Sequence, residues 1–407
     1  DGNEYIDLVN GFGQTMFGHA PDFVVDAVSQ QLSEGFSIGP QSPLAYEVAR
    51  MFAEMTNNER VTFCNTGSEA VMAAMRVARA VTGRDTIVMF SGDYHGQFDE
   101  VLVKPTASKA KPGALPIAPG IPRDSVSNVV VLPYGAPESV AWVREHKDDI
   151  AAVVAETVQS RHPDLRPREF LVEMRKITEE CGAALVFDEV VTGFRVHPGG
   201  MQAVFGIQAD MATYGKVVGG GMPVGVLAGK AKFMDALDGG FWKYGDDSVP
   251  ETAPTFFAGT FVRHPLVLAA CKACLVHMKQ KGPALQEALA EKTRRMVGEM
   301  NAHLAARGIK TRLESFASWT YANFAAEDPM ASLLHPYLRS LGVHVIEGFP
   351  WYLTTTHTDA DIAKVVDAFK KAIDALQAAG ILAPQDGPEK PTPGPNGGGP
   401  KPGKEKE

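Results

Sequence analysis

Five segments of the chain carry residue types that can do chemistry, and each follows a short apolar run: Asn65-Thr66-Gly67-Ser68-Glu69, Ser91-Gly92-Asp93-Tyr94-His95-Gly96, Glu156, Asp188-Glu189 and Gly215-Lys216. Thr66-Gly67-Ser68 precedes a helix-like stretch. Free N–H groups at a helix start, a glycine that lets the backbone come close and a hydroxyl beside it make an anion site that suits a phosphate. The plainer reading is an N-cap serine. Asp188 closes the run Ala183-Ala184-Leu185-Val186-Phe187, where a carboxylate must be paired or functional, because an isolated buried charge is costly. Its plainer reading is a strand-end Asp capping a loop. Lys216 follows Tyr214-Gly215 and precedes Val217-Val218-Gly219-Gly220-Gly221. A lysine in a small, Gly-rich, largely apolar setting can be desolvated and nucleophilic; the alternative is a surface lysine before a loop.

Other motifs carry less. Cys271-Lys272-Ala273-Cys274 has CxxC spacing but sits in the apolar, helical stretch Leu266–Met278, which favours core cysteines over a metal or redox site. The 11 histidines are scattered without metal-ligand spacing. Gly219-Gly220-Gly221 lacks the GxGxxG spacing of a dinucleotide loop.

These segments need elements to position them. Val61–Cys64, Thr86–Phe90, Asn128–Leu132, Ala152–Ala155, Ala183–Phe187 and Met211–Tyr214 read as strands. They are short and β-rich without clean alternation, as strands buried on both faces are. Helical patterns such as Ser68–Val81 and Phe170–Cys181 lie between them. That order predicts an α/β fold with a mostly parallel sheet flanked by helices, and in open sheets of this kind ligands bind beyond the C-terminal strand ends. After residue 282 the pattern changes to a long helix (Pro283–Arg307), short strands and a last helix that Thr358 and Asp361 can cap, which reads as a smaller α+β domain. The expected organisation is an N-terminal segment (1–45), a large domain (46–282), a small C-terminal domain (283–382) and a Pro/Gly-rich linker or tail (383–407). That tail holds 7 of the 28 prolines and 6 of the 40 glycines, too little apolar surface to offset the entropy of ordering.

Composition narrows the classes. The chain has 407 residues, which at ~150 per domain gives two or three packed units. A hydrophobic content of 45% is ordinary for a globular protein. The formal charge is −9, which argues against nucleic-acid binding as the main role. Four cysteines are too few for a disulfide framework, so a reducing, cytoplasmic setting is expected. No apolar run is long enough to span a membrane. The opening Asp1-Gly2-Asn3-Glu4 has neither a signal-peptide layout nor a Met and reads as a cut from a longer chain.

Taken together, Asn65-Thr66-Gly67-Ser68-Glu69-Ala70, Tyr94-His95-Gly96, Leu185–Arg195, Tyr214–Gly225 and Gly259-Thr260 with Pro265-Leu266 resemble a class III, fold-type I aminotransferase that uses pyridoxal 5'-phosphate (PLP). The similarity runs from about Asp1 to Leu382, and the branch it looks most like is that of the glutamate-1-semialdehyde aminomutases. Within that branch, Gly39-Pro40-Gln41-Ser42-Pro43-Leu44-Ala45, Val158–Leu165 and Phe256–Phe261 are most similar to aminotransferase domains embedded in polyketide and nonribosomal peptide synthetases. The resemblance implies that Lys216 holds PLP covalently and carries a proton between carbon atoms, and that Asp188 pairs with the pyridine nitrogen. It further implies that Gly67 and Ser68 hold the phosphate, and that Tyr94 and Val190 pack on the two ring faces. His95, Glu156 and Thr260 belong to the implied cofactor site, Thr260 reaching a neighbouring subunit's phosphate in a homodimer with shared active sites. Gln159 and Arg161 are implied on the substrate side. The expected reaction takes an amino group from an amino-acid donor such as glutamate or glutamine. The expected acceptor is a carbonyl, in the synthetase setting a β-ketoacyl thioester on an acyl carrier protein, for which Arg161, Arg166 and Arg168 offer a basic patch. A glutamate-1-semialdehyde-type aminomutase and a free-standing small-molecule aminotransferase are the alternatives. The chain departs from the usual Glu-Pro pair at Glu156-Thr157 and has Ser68 where Thr is common.

Overall fold

The computed structural model describes residues 2–37, 41–108, 111–243, 245–326 and 328–382. The segment 383–407 read as a linker, and Gly39-Pro40 of the motif quoted above, lie outside the described residues. Strands β1 (Arg60–Cys64), β2 (Thr86–Phe90), β3 (Val129–Leu132), β4 (Ile150–Glu156), β5 (Ala184–Asp188), β6 (Met211–Gly215) and β7 (Gly225–Gly229) form one sheet in the order β1-β7-β6-β5-β4-β2-β3. The run β3-β2-β4-β5-β6 is parallel. Strand β7 is antiparallel to both β1 and β6. Every residue of β4, β5 and β6 is buried, which is why these strands lack a polar alternation.

The principal helices are α1 (Asp22–Glu34), α2 (Pro43–Thr56), α3 (Gly67–Thr82), α4 (Arg168–Cys181), α5 (Pro265–Lys281), α6 (Ala284–Ala306) and α7 (Asp359–Ala378). Helix α3 is capped by Thr66, whose hydroxyl accepts from the Glu69 N–H, and it ends at Gly83 in a left-handed conformation. The cap is therefore Thr66, and Ser68 is left with its hydroxyl for other work. Helix α7 has the reciprocal Thr358–Asp361 capping box that the sequence spacing predicts. Cys271 and Cys274 lie buried on α5 with free thiols, and burial pushes the Cys271 thiol up to about 12, as fits core cysteines.

A second core forms around α6 and α7, where Met296, Met300, Phe369 and Ile373 pack beneath a three-stranded sheet of β8 (Glu314–Phe316), β9 (Trp319–Tyr321) and β10 (Trp351–Tyr352). The N-terminal residues join both cores. Ile6–Asp7 pairs in parallel with Val343–His344 and Leu8 enters the second core, whereas Met16 and Phe17 enter the first. Among the described residues no helix is long and apolar enough to cross a membrane.

The sequence reading missed β7. Gly225-Val226-Leu227-Ala228-Gly229 is short and glycine-bounded, a pattern with weak strand propensity. Glycine is needed at its start, since a Cβ on Gly225 would fall 1.9 Å from the Thr66 carbonyl oxygen.

Candidate active site

The loops after β1, β2, β4, β5 and β6 converge beyond the C-terminal strand ends on a cavity of about 250 Å3. Gly67, Ser68, Tyr94, His95, Glu156, Asp188, Val190 and Lys216 all face it. Lys216 is the first residue after β6 and has φ of 47°, a left-handed backbone that costs a non-glycine residue about 1–3 kcal/mol. Such strain persists only where the surroundings enforce it. Burial holds the Lys216 amine below the ordinary lysine range, against the opposing pull of Asp188 and Glu156 and with a further push from the Arg195 charge.

Asp188 ends β5 and is 4% exposed. Its Oδ1 accepts from the Val190 N–H and the Thr213 hydroxyl, both at 3.1 Å. Its Oδ2 lies 2.8 Å from Nδ1 of His95, and His95 Nε2 lies 3.2 Å from Oδ2 of a second buried carboxylate, Asp93. One imidazole thus bridges two carboxylates. Burial pushes the His95 pKa down, but the hydrogen bonds to Asp188 and Asp93 outweigh it and lift the ring to about 10. Both nitrogens then donate, and His95 sits as a cation between two buried carboxyl groups, of which that of Asp93 is raised by burial. Glu156 ends β4 and accepts from the Tyr94 N–H at 2.9 Å. Burial first, and then the charges of Asp93 and Asp188, raise its carboxyl to about 8, so it holds a proton at neutral pH.

The other end of the cavity is built by close approach. A Cβ on Gly96 would lie 2.4 Å from Ser68 Oγ, and the Gln97 N–H donates to that hydroxyl at 3.2 Å. A Cβ on Gly67 would press to 3.0 Å against both methyl groups of Val190. The start of α3, with Thr66, Gly67 and Ser68 lining the cavity, offers N–H groups, a hydroxyl and the positive end of a 16-residue helix.

Three further residues expected at the site do not line this first cavity. Gln159 is buried one step behind it, donating to the Ser91 carbonyl at 2.9 Å and to Asp93 Oδ1 at 2.6 Å. Arg161 lines a second cavity of about 450 Å3 that shares Gly11, Tyr94, Val191 and Lys216 with the first. Thr260 is exposed, on the loop before α5, and lines neither cavity. Arg161, Arg166 and Arg168, expected as a basic patch, are all exposed, and two of them are engaged locally. Arg166 donates to the carbonyls of Pro163 and Ser315 and lies over the Phe316 ring, and Arg168 donates to the Phe205 carbonyl and pairs with Glu169.

Other participants were missed. Asp93 stood inside a quoted segment, and its Asp-x-His spacing was the available signal. Arg195 is buried without a carboxylate partner among the described residues and instead donates to the carbonyls of Gly13 and Leu353 and to the Ser318 hydroxyl. Nothing in its local sequence points to partners so distant in the chain.

The model of the family described as Aminotransferase class-III matches residues 1–373. The chain belongs to the class III aminotransferases. A glutamate-1-semialdehyde 2,1-aminomutase of Aquifex aeolicus is 33% identical over 393 residues, spanning 92% of this chain and 89% of that protein. Among solved structures, a transaminase with PLP bound superposes with a TM-score of 0.83 at 28% identity, over 93% of this chain and 88% of the other. An omega-transaminase from Sphaerobacter thermophilus gives the same figures. The fold is thus the fold-type I transaminase fold, and the protein is a PLP-dependent aminotransferase. The cavity fits that cofactor: a half-buried amine, a hydrogen-bonded carboxyl–imidazole pair behind it and a glycine-lined helix start sit around one space of suitable polarity.

Proposed function

We propose that this class III aminotransferase takes the amino group of an amino-acid donor, glutamate or glutamine, and delivers it to a carbonyl acceptor. The observation that carries this reading is the placement of Lys216, a strained and desolvated amine, in the same cavity as the Asp188–His95–Asp93 chain. Bound there, PLP supplies an aldehyde that condenses with amines and a ring that withdraws electrons from the carbon next to nitrogen. The chain's residues do the rest. Lys216 Nζ would hold the cofactor and would take and return a proton at the substrate carbon, a task its depressed basicity suits. Asp188, hydrogen-bonded to His95, lines the cavity where it would face the cofactor's ring nitrogen and would hold a proton there. The start of α3 with Gly67 and Ser68 would receive the phosphate, and Tyr94 and Val190, which line the same cavity, would flank the ring. Glu156, protonated at neutral pH, can donate a hydrogen bond to the cofactor hydroxyl.

For the acceptor, the motifs shared with synthetase-embedded aminotransferases support a β-ketoacyl thioester on a carrier protein, and the aromatic walls of the second cavity suit an acyl chain. The enzyme works as a homodimer in this reading, Thr260 reaching across to the partner's phosphate. The aminomutase named among the relatives favours a second reading, in which the amine moves within one molecule. The test is donor dependence. A transaminase converts the acceptor only with an amino-acid donor. Turnover of protein loaded with the amine form of the cofactor, without any donor, supports the mutase. Lys216→Ala is expected to lose the absorbance of lysine-bound cofactor and to drop turnover by about 10³-fold or more, while the purified protein still binds free cofactor.

A further inference from the structure

The second cavity has a feature the cofactor does not use. Phe12, Tyr94, Phe349 and Tyr352 wall it, half-buried Lys216 lies at its inner end, and exposed Arg161 stands at its outer end. No Asp or Glu lines it, so its two charged side chains are both cationic types. Arg161 is held in one orientation. Its Nε donates to the Gly348 carbonyl at 3.0 Å, and its guanidinium carbon sits 5.4 Å from the centroid of the Phe349 ring, which itself packs 5.0 Å from Phe12. Among the described residues no carboxylate pairs with it, and its two terminal nitrogens have no acceptor. The loop that carries it is pinned from below, where the Trp319 indole donates to the Ser160 carbonyl at 3.2 Å. A planar guanidinium fixed by one N–H, with its outer N–H groups free, is the fork that grips a carboxylate through two hydrogen bonds.

The α-carboxylate of an amino acid is one carbon from the reacting nitrogen, so it must lie next to Lys216. A carboxylate at Arg161 is on the far side of the aromatic-walled space. We infer that Arg161 reads a carboxylate at the end of the substrate remote from its reacting carbon, which makes the donor a dicarboxylic amino acid of the glutamate type and disfavours its amide. This rests on the aminotransferase reading for the identity of the reacting end. It does not rest on it for the carboxylate site itself.

The test uses the cofactor-loaded full chain. In single turnover, the loss of the lysine-bound cofactor's absorbance is followed with glutamate, with glutamine and with norvaline, which keeps the carbon chain and lacks the distal carboxylate. Calorimetry follows binding of glutarate against pentanoate, neither of which can react. The expected result is a preference of about 10²-fold for glutamate over norvaline and glutamine, which Arg161→Gln abolishes by slowing glutamate about 10²-fold while moving norvaline less than about threefold. Arg161→Lys retains part of the preference, and Arg161→Gln weakens glutarate but not pentanoate. Equal loss for glutamate and norvaline, or unchanged glutarate affinity, overturns the inference. If no amino acid reacts with wild-type protein, the aminotransferase reading fails, and the glutarate measurement still decides the role of Arg161.

Discussion

His95 shows how one residue sets the charge of a site. Its pKa in the fold, about 10, lies above the ordinary value of 6.5. Folding therefore takes up a proton, and the stability this contributes is full below pH 6.5 and lost as pH rises through 10. Glu156, raised from 4.5 to about 8, contributes in the same direction over its own lower window. His95→Asn removes the first contribution and lets the Glu156 carboxyl, which the His95 charge holds down, rise further. The stability of wild type relative to His95→Asn, from urea titrations of cofactor-free protein, is expected to fall between pH 6.5 and 10, by at most about 1.4 kcal/mol per pH unit for one proton. Parallel curves would show that the ring is neutral in the fold. Much of this was legible from residue types. Lys216, Asp188 and Ser68 each follow a strand end, and chemistry at strand ends is where such sheets place it. What the sequence could not disclose was the partner of each group. That His95 spans two carboxylates depends on β2, β4 and β5 lying side by side, a matter of pairing across about 90 residues.

Among the elements, β7 is the instructive failure. The buried parallel strands announced themselves through β-branched runs, whereas β7 is selected for what it lacks: side chains at 225 and 229 that would strike the neighbouring strand and loop. A strand that owes its place to absent atoms leaves little pattern to read. Gly225→Ala must push β7 away from Thr66 or displace the start of α3. It is expected to cost about 3 kcal/mol or more in urea unfolding and to weaken cofactor binding as well. The helices behaved differently. Thr358 with Asp361 was readable because a capping box is a local device, and α3 was readable up to its cap. The choice between Thr66 and Ser68 was not, because both hydroxyls stand within reach of a first turn.

For the whole molecule, exposed aromatic residues gather on the surface around the loop before α5: Phe241 is 81% exposed, Phe256 77% and Phe261 61%, with Tyr46 on α2 at 73%. Solitary exposed apolar residues need no explanation, but a set on one loop is what contact with a second copy of the chain would cover. Wild-type protein is expected to sediment as a dimer. Phe256→Asp combined with Phe261→Asp is expected to sediment as a monomer with normal far-ultraviolet circular dichroism and reduced cofactor content. The mouth of the second cavity is also a large-scale construction. Arg161 meets Gly348, Ser160 meets Trp319 and Arg166 meets Ser315, so loops of the main sheet are stitched to the smaller core at three points.

Leu8 and Leu382 belong to the same core, the smaller one, although they stand at opposite ends of the described chain. A neighbour attached at either end would pull first on that lobe. Since the same lobe supplies Gly348, Phe349 and Tyr352 to the entrance, tension in a tether would be felt as a change in how the entrance gapes. Fused to other proteins, this enzyme would have the shape of its substrate entrance exposed to mechanical influence through both ends.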